Sequence, residues 1–170
     1  MIIRIFGASE FENHIPRFAE ILIDAVNSGV GVSFLKPLST EVAQDFWRGQ
    51  ISNIEAQNTF PIVAELDGTI AGLVLLVRAW AANQPHRSDV AKLLVHRDFR
   101  RRGLATALIK ELEVKACELG QTLITFDAVA NSAASAFYQK LGFICIGTYP
   151  GYALSGDGKL DDTDLFYKKL

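Results

Sequence analysis

Asp67-Gly68 separates two apolar runs, Pro61 to Leu66 and Thr69 to Val77. A two-residue turn of this kind needs positive φ at both positions, which these residues tolerate, and its twist suits antiparallel strands. The segment predicts a β-hairpin. The second half of the chain has a different pattern. Asp89 to Val95 is a predicted strand. Gly103 to Leu119 is a predicted helix with the stripe Leu104, Leu108, Leu112 and Ala116, ended by Gly120. Gln121 to Asp127 is a strand. Asn131 or Ser132 caps a helix carrying Ala134, Phe137, Tyr138 and Leu141, and Gly142 ends it. Strands alternating with helices imply parallel pairing, whereas the hairpin imposes antiparallel pairing. A chain with both is expected to be an α/β protein (α+β in its pairing). Its core would be a central twisted mixed sheet with helices on both faces.

The flanks add to this plan. Ile2 to Phe6 reads as a strand. Ser9 and Glu12 have capping-box spacing ahead of a helix through Phe11, Ile15, Phe18, Leu22 and Ala25. Gly29 to Pro37 reads as a mobile loop, and Ser39 or Thr40 caps a second helix through Val42, Phe46 and Trp47 towards Ile54. Phe143 to Gly147 and Asp164 to Lys168 are the last strands, separated by a glycine-rich excursion. At 170 residues this is one domain, residues 1–170, since a domain takes roughly 100–200 residues. A chain that is 49% hydrophobic and 21% charged can bury a core, which excludes disorder.

The same arithmetic excludes several functions. A net charge of -2 argues against a globally basic nucleic-acid binder. The longest apolar run, Ile70 to Val77, is too short to span a bilayer. Met1-Ile2-Ile3-Arg4 does not open a secretory signal. Cys117 and Cys145 lie far apart and the three histidines are scattered, so neither a metal site nor a disulfide is expected. The expected setting is a reducing cytoplasm, without membrane or nucleic-acid partners.

Between the strand ending at Val95 and the helix opening at Gly103 stands His96-Arg97-Asp98-Phe99-Arg100-Arg101-Arg102-Gly103-Leu104-Ala105-Thr106. The first N–H groups of a helix lack internal partners, and the helix dipole makes that end positive. A pyrophosphate fits there. Gly103 lets the backbone approach closely, Ala105 is small, and arginines add charge-assisted contacts. A solvated basic turn, or a patch for nucleic acid, is the alternative reading. Neither a Walker A loop nor Gly-x-Gly-x-x-Gly is present. About one βα unit later, Asn131, Ser135 and Tyr138 recur at helical spacing beside Ala133, Ala134 and Ala136. Taken alone, Tyr138 reads as a packing residue with its hydroxyl at the rim.

Together the two segments resemble a family. Arg100-x-x-Gly103-x-Ala105, opening a helix after a strand, is similar to the acetyl-CoA signature of the GCN5-related N-acetyltransferases (GNAT). Asn131-x-x-Ala134-x-x-Phe137-Tyr138-x-x-Leu141-Gly142-Phe143 is similar to that superfamily's second signature. Gly29 to Leu38, Pro150-Gly151-Tyr152, Asp157-Gly158 and Phe166-Tyr167-Lys168 look, more loosely, like the tabtoxin-resistance acetyltransferase branch. The family often has proline where Arg97 stands, and glycine at Arg101 or Ala105, where alanine is an accepted variant.

The resemblance implies an acetyl-CoA-dependent N-acetyltransferase. The strands ending at Val95 and Asp127 would splay, leaving backbone groups at Leu93, Leu94 and Val95 for the pantetheine arm. An N–H near Leu94 or Val95 would stabilise the oxyanion. Arg100, Arg101, Arg102, Gly103, Leu104, Ala105 and Thr106 would hold the pyrophosphate, and Asn131 and Ser135 would also face acetyl-CoA or coenzyme A. Tyr138 would be the general acid. Asp127 would be the base, or would only orient the amine. Tyr149, Tyr152 and Trp47 are candidates to line the acceptor pocket. The expected partner is a small-molecule amine (an amino acid, amine metabolite, antibiotic or toxin), with no metal and a possible homodimer. A non-catalytic acyl-CoA module and a protein-lysine or N-terminal acetyltransferase are the alternatives.

Overall fold

The computed structural model describes residues 1–170. The hairpin is present. β2 (Thr59–Leu66) and β3 (Thr69–Arg78) pair antiparallel, and Asp67 and Gly68 carry φ of 54° and 77°. β1 (Ile2–Ile5) pairs with the other edge of β2, and β4 (Arg87–Val95) with the other edge of β3, both antiparallel. β5 (Leu123–Val129), β6 (Ile144–Leu154) and β7 (Leu160–Lys169) complete a seven-stranded sheet of order β1-β2-β3-β4-β5-β7-β6.

Pairing in the second half departs from expectation. Only β4 and β5 are parallel neighbours. β6 turns directly into β7, and β7 takes the free edge of β5 that a crossover strand would have occupied, antiparallel to both β5 and β6. Nor is the glycine-rich excursion a loop. Both strands run on through it, and Leu154 still pairs with Leu160. Pro150 is tolerated because β6 is the sheet's edge strand and its register slips between Tyr149 and Ala153.

Each predicted N-terminal helix is two. α1 (Ala8–Asn13) stops before α2 (Ile15–Asn27) because Pro16, in the first turn of α2, has no N–H with which to continue a helix. Gly7 is the N-cap of α1, so Ser9 lies inside the helix and the capping box does not form. α3 (Thr40–Arg48) is capped by Ser39, whose hydroxyl accepts from the Val42 N–H, and Gly49 separates it from α4 (Ile51–Glu55). α5 (Leu104–Glu118) and α6 (Ala133–Lys140) follow the two central strands.

Helices cover both faces of the sheet, and the side-chain alternation of β3 shows how. Leu73 and Leu75 join Phe11, Phe18, Leu22 and Trp47 beneath α1–α4, whereas Val74 and Leu76 join Leu104, Leu108 and Leu112 beneath α5. Trp47 is fully buried in the first cluster, so it is core and not an acceptor-pocket residue. Gly72 has a specific duty. A Cβ there would lie 2.5 Å from the Leu94 carbonyl oxygen, so a side chain would push β4 away at the irregularity where Lys92 takes φ of 52°.

Candidate active site

The parallel pairing of β4 and β5 runs from Arg87↔Leu123 to Asp89↔Thr125 and stops. The Arg87 guanidinium ties Asp89 and Thr125 together where the strands part. Beyond that point Val90–Val95 and Phe126–Val129 diverge, and the edge of β4 facing β5 has no strand partner. Two cavities of about 440 and 430 Å³ open along the divide and share Val30, Leu93, Ala133 and Ala134. They form one continuous cleft.

The larger cavity is lined by Leu93, Leu94, Val95, Arg100, Arg101, Gly103, Leu104, Ala105 and Thr106, together with Phe99 and Phe137. The structure thus brings together nine of the residues expected to hold a cofactor. Gly103 is the N-cap of α5 with φ of 81° and offers no side-chain cap, so the first amides of the helix keep their hydrogen-bonding capacity. Positive φ, not crowding, is what calls for glycine here, since a Cβ would meet nothing within 4 Å.

The arginines, equivalent in sequence, divide into two pairs. Arg100 folds back, its Nε donating to the Val95 carbonyl at 3.0 Å and its guanidinium to Asp24 at 3.1 Å. The Arg97 N–H donates to the same Asp24 carboxylate at 2.9 Å, and its guanidinium joins it. Asp24, on α2 and only 7% exposed, therefore fixes the turn from beneath. Arg101 has no such partner and lines the cavity with φ of 61°. Arg102 lies outside the lining, its guanidinium 5.8 Å from the Phe99 ring centre.

The second cavity contains Asp127 and Tyr138, as expected, and a residue that the sequence reading missed, Lys92. The Tyr138 ring is buried against Phe126, Phe143 and Phe166, with its centroid 4.2 Å from that of Phe126. Burial pushes its phenol well above the ordinary value of 10.0. Loss of hydration raises the Asp127 carboxyl pKa, and the nearby Lys92 cation only partly offsets this. Desolvation lowers the Lys92 pKa. The lysine's signal in the sequence was a lone charge between Ala91 and Leu93 in an otherwise apolar strand end.

Besides Arg102, two more residues expected at the cofactor lie outside both cavities. The Ser135 hydroxyl, buried, donates to Asp164 at 2.8 Å and lines neither cavity. Asn131 also lies outside both linings. It precedes the N-cap Ser132 with φ of 54°, so it does not share the helical face of Tyr138. Tyr149 and Tyr152 stack on each other at 5.5 Å, exposed and away from the cleft. The predicted loop does border the cleft. Gly31 lies so close to Val129 that a Cβ would stand 2.5 Å from Cγ2. Lys36 pairs with Asp157 at 3.2 Å, and its N–H donates to the Gly156 carbonyl at 3.1 Å, pinning the loop to the tip of the β6–β7 hairpin.

A mixed sheet parted between its only parallel pair, with the start of a helix in the parting, defines the class of acyl-CoA acyltransferases. The family model described as "Acetyltransferase (GNAT) family" matches residues 25–143, and the chain belongs to that family. An uncharacterised N-acetyltransferase of Methanocaldococcus jannaschii is 27% identical over 157 residues, covering 91% of this chain and 90% of that one. An acetyltransferase of Yersinia pestis is 36% identical over 86 residues, which span 48% of this chain and 55% of that protein. The chain thus matches about half the length of some relatives. Among solved structures, ribosomal-protein-alanine N-acetyltransferase from Brucella melitensis superposes with a TM-score of 0.82 at 22% identity, with full coverage of both chains. A Salmonella typhimurium protein solved with its cofactor acetyl-CoA gives 0.81 at 17% identity, covering 100% of this chain and 94% of that one. These structural likenesses establish the fold. The likeness to the tabtoxin-resistance branch rests only on the short segments quoted for it, Gly29 to Leu38 and residues of β6, β7 and the turn between them. No helix is long and apolar enough to cross a membrane.

Proposed function

We propose that this protein is an acetyl-CoA-dependent N-acetyltransferase whose acceptor is the amine of a small molecule. The observation that carries this reading is the parting of β4 from β5 with the α5 N-terminus inside it. An unpaired strand edge requires hydrogen-bond partners, and an amide-bearing pantetheine arm matches that need. The free amides of Leu104 to Thr106, with the Arg101 cation, suit a pyrophosphate. When bound, acetyl-CoA supplies an acyl group activated as a thioester.

The chain's own residues account for the rest. One β4 backbone N–H on the edge facing β5, at Leu94 or Val95, stabilises negative charge developing on a carbonyl oxygen. Asp127 receives the acceptor's ammonium and takes or orients its proton, because an alkylamine of pKa near ~10 must lose a proton before it attacks. The raised pKa of Asp127 brings it closer to this task. Tyr138 keeps its proton at any physiological pH. Full transfer from so weak an acid to a thiolate of pKa near ~8.5 runs uphill. Its hydroxyl therefore works first as a hydrogen-bond donor that strengthens as sulfur gains charge. No covalent enzyme intermediate is needed, and catalysis rests on positioning.

The test is thermal. Acetyl-CoA or CoA should raise the melting temperature, whereas ATP and NAD should not. Gly103→Glu, which places an anion and a strained left-handed residue at the helix start, should abolish the shift. A shift with ATP and none with CoA would sink the reading. An acceptor screen with a free-thiol readout then reports turnover.

A further inference from the structure

Lys92 occupies the acceptor half of the cleft although acetyl transfer itself needs no cation there. It sits at the irregularity in β4 and lines the same cavity as Asp127. Its ammonium lies over the rings of Phe46 and Phe34 at 5.3 and 5.8 Å and donates to Ser33 Oγ at 3.4 Å. Of the four lysines that are partly buried, Lys36, Lys115 and Lys168 each have an ion pair and Lys92 has none. Aromatic faces attract a cation without neutralising it. A partly dehydrated ammonium in a walled cavity is completed by an anion.

Asp127 faces the same space from β5, so the parted strands present opposite charges across one cavity of about 430 Å³. The loop from Gly29 to Ser33 borders it, which limits the occupant to a small molecule. The third charged residue in the lining is Asp161, on β7. We infer that the acceptor is a zwitterionic amine of the α-amino-acid type, its ammonium received by Asp127 and its carboxylate by Lys92. This rests on the acetyltransferase reading above and narrows it.

The alternatives fit the charges less well. A simple amine would pair with Asp127 but leave Lys92 without an anion, and a diamine would in addition bring a second cation into the cavity that holds Lys92. A lysine side chain on a protein carries no carboxylate near its amine. A peptide N-terminus has its carboxylate converted to an amide. Asp161 adds a preference for neutral or basic side chains over acidic ones. In the reaction the deprotonated amine attacks the thioester carbonyl, a C–N bond forms and the C–S bond breaks. The ammonium's first proton leaves through Asp127 to solvent, the proton that the nitrogen sheds on forming the amide passes through solvent to the departing thiolate, and the products are free CoA and the N-acetylamino acid.

The experiment compares the proteinogenic amino acids with their α-carboxamides and decarboxylated amines, using acetyl-CoA and thiol release. The free acid should exceed its amide in kcat/KM by about tenfold or more, the scale of one charge-assisted contact. Lys92→Gln should raise KM for the acid and bring the acid-to-amide ratio towards one, while Lys92→Arg should keep the ratio. If Lys92→Gln does not fold, the ratio in the wild type and in Lys92→Arg still decides. Amides or amines used as well as acids, an unchanged ratio in Lys92→Gln, or no amino acid accepted although acetyl-CoA raises the melting temperature would each overturn the inference. Failure of acetyl-CoA to raise the melting temperature would remove the acetyltransferase reading itself, and this inference with it.

Discussion

Tyr138 and Asp127 share a cavity, and loss of hydration raises the pKa of both, although the ring of Tyr138 is buried and Asp127 stands at the exposed mouth of the parting. The phenol is locked among phenyl rings and kept protonated, so replacing it with phenylalanine removes the hydroxyl and leaves the packing. Tyr138→Phe should lower kcat by about 10²–10³-fold, the worth of one hydrogen-bond donor aimed at developing charge, with the acetyl-CoA melting shift unchanged. An unaltered kcat would reduce Tyr138 to a packing residue. For Asp127 the sign of the shift makes a less familiar prediction. Its carboxyl binds a proton more tightly in the folded chain than in the unfolded one, where its ordinary pKa is 3.8. Stability contributed by the protonated form is therefore present below 3.8 and lost as pH rises through the raised native value. At neutral pH the carboxylate works against the fold. Asp127→Asn should raise the melting temperature at pH 7 while lowering acetylation, and the difference in melting temperature should vanish at acidic pH. A lower melting temperature at pH 7 would show that attraction to Lys92 outweighs lost hydration.

At the level of elements, the turn between β4 and α5 depends on a helix far from it in sequence. Asp24 on α2 accepts from the Arg97 backbone and from both the Arg97 and Arg100 side chains. Asp24→Ala should destabilise the protein by about 1–3 kcal/mol, the cost of orphaning hydrogen-bonding groups that retain partial access to water. It should also weaken the acetyl-CoA melting shift, because the turn loses its support. Chemical denaturation and a cofactor titration check the two effects. The sequence contained no sign of this arrangement. Asp24 reads as one more polar residue on an amphipathic helix, and its partners lie 73 and 76 residues away. Features with a local cause were legible. Asp67-Gly68 dictates its own backbone, Gly103 its positive φ, and α5 follows from its apolar stripe. Features that depend on which strand finds which edge were not. β7 beside β5, the β6–β7 arm running through Pro150, and Lys92 facing Asp127 across the parting all arise from long-range pairing. The arginines show both limits in one motif, since their placement before a helix was readable and their division into a supporting pair and a pair without ion-pair partners was not.

Across the whole molecule, the sheet is continuous except between Val90–Val95 and Phe126–Val129. Hydrogen exchange should register this directly. Amides in the Val90–Val95 segment that face β5 should exchange faster than those of β3 in the free protein and slow when acetyl-CoA is added. Exchange unaffected by acetyl-CoA would show that the parted edge does not receive it. The parting also bears on how long such a protein survives. A ligand that binds only the folded state stabilises it by about 2.7 kcal/mol when present at a hundred times its Kd. If the pantetheine arm completes the sheet along β4, the fraction of chains open to proteolysis rises whenever acetyl-CoA and free CoA together become scarce. The lifetime of the enzyme would then follow the cell's pool of coenzyme, so that a cell short of it would lose the catalyst as well.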